Sequence, residues 1–414
     1  FMLSYFIQLL FFSQSMPITM KGDYQVVMNF VNDTRTGNPF CAYYIDYFSF
    51  ALINSTCISN TGDSNEPGGV KSSGPGPVVI INTVFTDNKG RNKGGAIYLE
   101  IDTFEINSCS FTRNQCDDSI NPTYDQSNGG ALYLRCKSNC IHIIKDCIST
   151  ENTATTSGGS IFIEFIPNLY SKILASELPL QISNNYFINS QTKNTGGAIC
   201  IIHENGNANG DLLIENCTSF SCFSDKGGSL HFEQGKGAKS INNCIFENDT
   251  ATYLGGAICI ENNALNITDC IFLSCRTFDE EKGEGGSIYF NGTRITSYFE
   301  YLVFDNCSSS QGGAISLLNN TIQIENSNFT NCKSSFNGGS ICSKNSNTDI
   351  DYCNLILSES IKGSAIYHYS DDEKIDINHC IFKHCFSRDS ISNCEADGCS
   401  GGAFYISSKF SVNS

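Results

Sequence analysis

The side chains of this 414-residue sequence that are able to do chemistry are its 22 cysteines, six histidines and 42 carboxylates. The tightest His/Cys grouping is His379-Cys380-Ile381-Phe382-Lys383-His384-Cys385, and imidazole and thiolate together are what zinc accepts. Zinc also wants its ligands gathered at one place. Each of these residues instead occupies a position that recurs along the chain with Asn, Cys or a small polar residue, so the segment reads as structural. The remaining cysteines are spread in the same way. Cys109, Cys147, Cys217, Cys244, Cys270, Cys353 and Cys380 stand two residues before a recurring phenylalanine position; Cys222, Cys275, Cys307, Cys332 and Cys385 stand three after it; Cys200, Cys259 and Cys342 share a third position. Stacked, buried thiols are the expectation. Cys41/Cys57, Cys136/Cys140 and Cys394/Cys399 lie off these columns and are the disulfide candidates in an exported chain.

Among the carboxylates, Asp117-Asp118, Asp279-Glu280-Glu281 and Asp371-Asp372-Glu373 are the densest clusters. Hydrolysis or elimination on a polysaccharide needs acidic or basic groups converging at a fixed separation. Each cluster lies in a turn or insertion without a repeat-aligned partner, which favours solvated surface. No Gly-x-Ser-x-Gly, P-loop or calcium-binding nonapeptide occurs. No catalytic, cofactor-binding or metal residue is therefore assigned, and the expected molecule is not an enzyme. The rival reading is a carbohydrate-active β-helix enzyme, a polysaccharide lyase or glycoside hydrolase.

The elements that carry these residues are set by a repeat. Glycine pairs followed by Ala or Ser and an aliphatic residue occur at Gly94-Gly95, Gly129-Gly130, Gly158-Gly159, Gly196-Gly197, Gly227-Gly228, Gly255-Gly256, Gly285-Gly286, Gly312-Gly313, Gly338-Gly339 and Gly401-Gly402, with a variant at Gly363-Ser364. Successive copies start from 25 residues apart (Gly338 to Gly363) to 38 apart (Gly158 to Gly196). That period signals a solenoid. After each pair the apolar residues alternate, as in Ile97/Leu99, Ile199/Ile201 and Ile315/Leu317, which predicts a strand with these slots facing the core. The slot between them varies (Tyr98, His231, Ser316, Tyr367) and is expected to face solvent.

A second piece centres on Phe85, Phe111, Phe187, Phe246, Phe272, Phe304, Phe329 and Phe382, with Ser149, Ser219 and Leu355 in the same slot. Asn or Cys follows three residues later in most copies, and an isoleucine precedes by five in several (Ile106, Ile182, Ile324). Five is odd, so both cannot face inward from one straight strand. A corner must lie between them, at Asn82, Asp146, Asn184, Asn216, Asn243, Asp269 and Asn326, residues that tolerate the left-handed conformation. Twenty-five residues leave no room for a crossover helix. The predicted fold is all-β: a parallel β-helix of about eleven or twelve coils over residues 79–414, about three short strands per coil, preceded by an irregular N-terminal cap over 16–78.

The combination of Gly-Gly-Ala/Ser-Ile with Phe-x-x-Asn resembles the repeat of the polymorphic outer-membrane protein family. The resemblance covers residues 79–414 and implies a right-handed β-helix displayed at a cell surface and linked to adhesion. The chain differs from bacterial members in having no evident C-terminal membrane barrel and in carrying Cys for Asn in five copies.

The formal charge of −17 excludes a nucleic-acid binder, which needs a basic face, and argues against an anionic membrane surface. An apolar run in residues 1–15 resembles a signal peptide too short to span a bilayer. Nine Asn-x-Ser/Thr triplets, at Asn32, Asn54, Asn216, Asn248, Asn266, Asn291, Asn306, Asn319 and Asn328, suit a secretory route. The last glycine pair stands close to Ser414, so a truncated product or a missing anchor is expected. Insertions at Gln115–Asn128, Arg276–Glu284 and Phe386–Ser400, and another at Pro167–Leu178, mark the expected binding loops. The expected role is a secreted or cell-surface adhesive rod whose partners are host or neighbouring-cell glycans or proteins, with no nucleic acid and no membrane insertion.

Overall fold

The computed structural model describes residues 18–21, 27–46, 49–62, 66–117, 127–137, 141–166, 180–204, 210–235, 237–292, 295–387 and 402–408. The expected signal peptide lies outside the described residues, as do Cys140, Cys394, Cys399 and Gly401, the insertion at 167–178 and most of those at 115–128 and 386–400. The described residues are strands and turns with no α-helix. They fall into two compact units: residues 1–217 with 235–237, and 218–234 with 238–414.

In the first unit one coil runs through Ile97–Ile101, Phe104–Asn107, Ser110–Thr112 and Gln115–Cys116. Each strand pairs in parallel with its equivalent in the next coil: Ile97 with Leu132, Phe104 with His142, Ser110 with Ile148, Gln115 with Thr153. The second unit repeats this arrangement, with Ile288 against Ile315, Thr296 against Thr321, Val303 against Asn328 and Arg276 against Ser308. Each unit is a parallel β-helix of four sheets. The expectation of about three strands per coil is corrected to four. The fourth is only two residues long in many coils, as at Gln115–Cys116 and Arg276–Thr277, and two residues carry no readable alternation. Coils also begin before the first glycine pair: Tyr43–Asp46 and Val70–Gly74 join the first sheet, Ser49–Ile53 the second and Thr56–Ile58 the third.

Matching residues stack in columns because coils repeat at the strand spacing. Phe272, Phe304 and Phe329 lie with ring centroids 4.8 Å apart and planes within 9° of parallel; Phe85 and Phe111 stack at 5.1 Å. The recurrent asparagine forms a polar column inside the first unit. Asn88 Nδ2 donates to Asn114 Oδ1 at 3.0 Å, and Asn114 Nδ2 to Asn152 Oδ1 at 3.1 Å. The same amides also donate backwards, Asn114 Nδ2 to Phe85 O at 3.0 Å. In the second unit a thiol takes over this backward bond, from Cys275 to Phe246 O at 3.4 Å and from Cys307 to Phe272 O at 3.6 Å. Cys thus replaces Asn as a weak donor to the same carbonyl, which accounts for the departure from the Phe-x-x-Asn pattern.

The corner before the phenylalanine is left-handed at Asn82 (φ 49°), Asp146, Asn184, Asn216, Asn243, Asp269 and Asn326. A second left-handed corner follows it, at Asp87, Asn248, Asn306 and Asn331 among others. Asn32, Asn54, Asn216, Asn248, Asn306 and Asn319 of the glycosylation triplets all sit at such exposed corners. Backbone geometry alone explains asparagine there.

The two glycines of a pair are required for different reasons. Gly94 has φ +71°, and a Cβ on it would strike the carbonyl oxygen of Ile97. Gly95 lies directly under the next coil, where a Cβ would strike the carbonyl oxygen of Gly130. The turn at Gly94 folds the preceding residue back over the outer face of the first sheet, and this explains the second correction. The slot expected to face solvent is buried in most coils: Tyr98, Tyr133, Phe162, Cys200, His231, Cys259, Tyr289, Ser316 and Cys342 are at most 7% exposed, while Tyr367 is half-buried. They do point outward, but residues just before the glycine pair cover them. Lys93 Nζ lies 5.4 Å from the Tyr98 ring centroid and 5.1 Å from that of Tyr133, and Thr195 Oγ1 is 3.3 Å from Cys200 Sγ.

Candidate functional site

Two outer faces of the coils gather side chains with chemistry, one in each unit. In the first unit the outward column Tyr98–Tyr133–Phe162–Cys200 packs as one apolar cluster with Ile202 against it. Two positions on along each strand lie Glu100, Arg135 and Glu164, on the same face because strand period is two. Arg135 bridges its neighbours above and below, Nη1 to Glu100 Oε1 and Nε to Glu164 Oε2, both 2.8 Å. The tyrosine hydroxyls complete the network: Tyr98 donates to Glu100 Oε2 at 2.7 Å and Tyr133 to Glu164 Oε2 at 3.0 Å.

The electrostatics of this cluster favour fixed charge over proton transfer. Burial works against ionisation of Glu100, yet the hydrogen bonds from Tyr98 and Arg135 outweigh it and hold its carboxyl below the usual range. Burial likewise opposes the Arg135 guanidinium, but Glu164 and Glu100 raise it further. Desolvation, then the neighbouring Arg135, lowers the Lys93 ammonium. An anionic Glu100 saturated by donors is poorly placed to act as a general acid.

In the second unit the short strands Thr250–Leu254, Arg276–Thr277, Ser308–Gln311, Lys333–Asn337 and Glu359–Ser360 form the fourth sheet. Tyr253 and Phe336, within their strands, and Phe278, just after Arg276–Thr277, are 39%, 43% and 49% exposed respectively. Phe278 stands in the insertion Arg276–Glu284. Its ring is capped by the Arg276 guanidinium at 4.7 Å and lies 6.4 Å from the Phe223 ring. In the coils that follow, a cavity of about 270 Å³ is lined by Gln311, Phe336, Asn337, Ile361 and Lys362. In its wall Ile361 and Lys362 both donate backbone N–H groups to Phe336 O, at 3.1 and 2.9 Å. An apolar wall with two amides and one ammonium is the composition of a small polar-ligand site.

The other residues singled out from the sequence do not converge. Asp279 closes its own turn, its Oδ1 accepting the N–H groups of Lys282 at 2.7 Å and Glu281 at 3.0 Å; these bonds depress its carboxyl. Asp372 and Glu373 donate their backbone N–H groups to Ser370 Oγ. Asp117 accepts from Thr155 Oγ1 at 3.1 Å, and Asp118 lies outside the described residues. His379 is a left-handed corner residue that bonds Asp351 Oδ1 at 2.9 Å and stacks on Tyr352. Its neighbour Cys380 points the other way, to Ile350 O; His384 lies by Phe386 while Cys385 bonds Leu355 O. Cys41 and Cys57 are buried thiols. Burial raises the Cys57 thiol well above its ordinary value, with Cys41 adding to it.

Neither outer face was legible from the sequence in full. Tyr98, Tyr133, Glu100, Arg135 and Glu164 carried no motif, and the only available signal was their shared repeat position. Phe278 was signalled by its insertion; Tyr253 and Phe336 were not.

Residues 82–100 match the repeat of the Chlamydia polymorphic membrane proteins. The matched segment runs from the left-handed corner at Asn82 through Phe85 and Asn88 to the turn at Gly94-Gly95 and the strand ending near Glu100. No curated protein and no solved structure matches the chain. The chain carries the polymorphic membrane protein repeat and folds it into a parallel β-helix.

Proposed function

We propose that the protein is an adhesin-like binding rod without catalytic activity, exported to the cell surface, which binds glycans on host or neighbouring cells. The observation that carries this is the exposed Phe336 ring in the wall of the cavity lined by Gln311, Asn337, Ile361 and Lys362, with Phe278 a second exposed ring two coils earlier. Flat rings match the C–H faces of sugars, and amides and an ammonium match their hydroxyl and carboxylate groups. Strand pairing holds Phe336 and Asn337 in place, so little ordering entropy opposes binding. Export would bring glycosylation at the corner asparagines and oxidation of suitably placed thiols.

The test is a glycan array probed with the chain and with Phe336→Ala and Phe278→Ala. Binding to a defined set of glycans, lost in both variants while their thermal stability is retained, is the expected result. A chain that binds no glycan but captures a surface protein would replace glycan by protein as the partner.

A second reading is favoured by one observation. Lys93, with its ammonium lowered, stands beside Arg135, Glu100 and Glu164 on an outer sheet face, a convergence of charged groups such as a polysaccharide lyase needs. The saturation of both carboxylates by Arg135 and the tyrosines weighs against it. Turnover of acidic polysaccharides, abolished by Lys93→Ala, would establish it over the binding rod.

A further inference from the structure

Within the second unit, His231 and Cys259 are register partners on adjacent first-sheet strands, and Glu261 lies two residues beyond Cys259 on the same face. The fold therefore delivers an imidazole, a thiol and a carboxylate to one point, all within 4.8 Å of one another. Among the described residues this is the one such group. No sequence motif announces it, because 28 residues separate His231 from Cys259.

We propose that His231, Cys259 and Glu261 form a binding site for a divalent transition metal of the zinc class, with a fourth position open to water. Three observations carry it. First, the donor set is mixed nitrogen, sulfur and oxygen, which suits zinc and excludes the hard cations calcium and magnesium. Second, His231 is 2% exposed, yet its Nδ1 has no hydrogen-bond partner and its Nε2 faces Glu261 Oε2 at 3.6 Å. A buried imidazole whose nearest nitrogen stops short of a hydrogen bond with a carboxylate leaves a gap of the kind a bridging cation fills. Third, the site is reachable: the Glu261 side chain is 23% exposed while His231 is enclosed, so the metal enters past Glu261.

Lys226 now neutralises that carboxylate, its Nζ 3.0 and 3.2 Å from the two oxygens. The ammonium is the more exposed partner, and it swings outward when a dication takes its place. On binding, the Cys259 thiol gives its proton to solvent and the thiolate donates its electron pair to the metal. The imidazole enters neutral, the form in which burial already holds it. Contraction of the three donor atoms to zinc bonding distances of about 2.0–2.3 Å completes the site.

Cobalt(II) is the probe. The full chain, reduced and freed of metal with a chelator, is titrated with cobalt chloride while the thiolate-to-metal charge-transfer absorption is followed. The expected result is a saturable band at one cobalt per chain, displaced by zinc. Each ligand is then replaced by a residue that another coil carries in the same column: Cys259→Ser after Ser316, His231→Tyr after Tyr289, Glu261→Asn after Asn291. Cys259→Ser should abolish the band, and the other two should weaken cobalt binding at least about tenfold. A titration without a saturable band overturns the proposal, as does a band that survives Cys259→Ser, since another thiol would then be its source. Should Cys259→Ser not fold, unchanged affinity in both His231→Tyr and Glu261→Asn overturns it equally.

Discussion

Asp249 Oδ1 accepts the backbone N–H of Cys222 at 2.8 Å, the bond that Asn114 Oδ1 accepts from the N–H of Asn88 at 3.1 Å in the other unit. An acid thus occupies a position that is otherwise filled by an amide, a thiol or, at Ser190 and Ser358, a hydroxyl. Ser219 also donates to Oδ1, at 3.0 Å, but Oδ2 is buried with no partner. Burial raises this carboxyl from 3.8 to about 8, against the hydrogen bonds that lower it.

The sign of the consequence follows from linkage. The native state keeps the proton between about pH 4 and 8 while the unfolded chain loses it, so Asp249 makes stability fall as pH rises across that window. Asp249→Asn should flatten that fall. At pH 8 it should stabilise the second unit by about 1–3 kcal/mol, the cost of one unsatisfied buried polar group. Urea midpoints at pH 5 and pH 8 check this. A wild-type midpoint that does not drop between them would show that Asp249 is already ionised in the fold.

Phe304 stacks on Phe272 and Phe329 at 4.8 Å on either side and is fully buried. Truncation to Ala empties one rung of a column whose neighbours are held by strand pairing and cannot collapse into the space. The expected loss is about 3–5 kcal/mol, with Phe304→Leu costing less than half of that. Leu355 already fills this slot beside Phe329, so a leucine is sterically acceptable. Equal losses for the two variants would mean that the ring stack, and not the filled volume, is what matters.

Gly95→Ala should be far more damaging than its size implies, because the added carbon meets the backbone of the coil above. The same carbon also meets the backbone N and O of Gln115 in the paired strand Gln115–Cys116, so the backbone cannot simply turn aside; the expected cost is about 3 kcal/mol or more. Gly402, with nothing within 4 Å of its would-be Cβ, should accept Ala with little effect. Thermal melts of the two variants give the comparison, and equal melting temperatures would refute the crowding account.

These positions also show what sequence alone conveys. Ile97, Phe85 and Asn82 were readable because their roles repeat in every coil and inward-facing slots tolerate few residue types. Tyr98 and His231 were misread as solvent-facing because period-two alternation reports which side of a strand a residue takes, not what covers that side. The cover comes from Lys93 and its equivalents, folded over by the positive φ of the first glycine, a contact between residues whose types vary freely. The fourth sheet escaped for a different reason: Gln115–Cys116 is too short to alternate. Phe278 was flagged by its insertion, whereas Phe336 stands in the strand Lys333–Asn337, in a copy of ordinary length, and acquires its cavity from Ile361 and Lys362 in the following coil.

Arg135 offers the last prediction, because it separates the fixed-charge account of the first unit's outer face from a catalytic one. Its guanidinium holds Glu100 and Glu164 at 2.8 Å each. Arg135→Gln leaves two partly buried carboxylates, on the coils above and below it, with no cation between them. An exposed pair is worth about 1 kcal/mol or less and a fully buried one several, so for these half-buried groups a loss of about 1–2 kcal/mol is expected. Glu100 is held below its ordinary 4.5 in the fold. The stability it contributes is present above that value and is lost as pH falls through the folded value. The deficit of Arg135→Gln should therefore be largest at neutral pH, shrink as pH falls through the depressed folded value of Glu100, and shrink in high salt. Denaturation curves at pH 3 and 7, with and without salt, measure this. A deficit independent of pH and salt would mean that Arg135 acts through the packing of its stem on the tyrosine column and that the two carboxylates do not sense its charge.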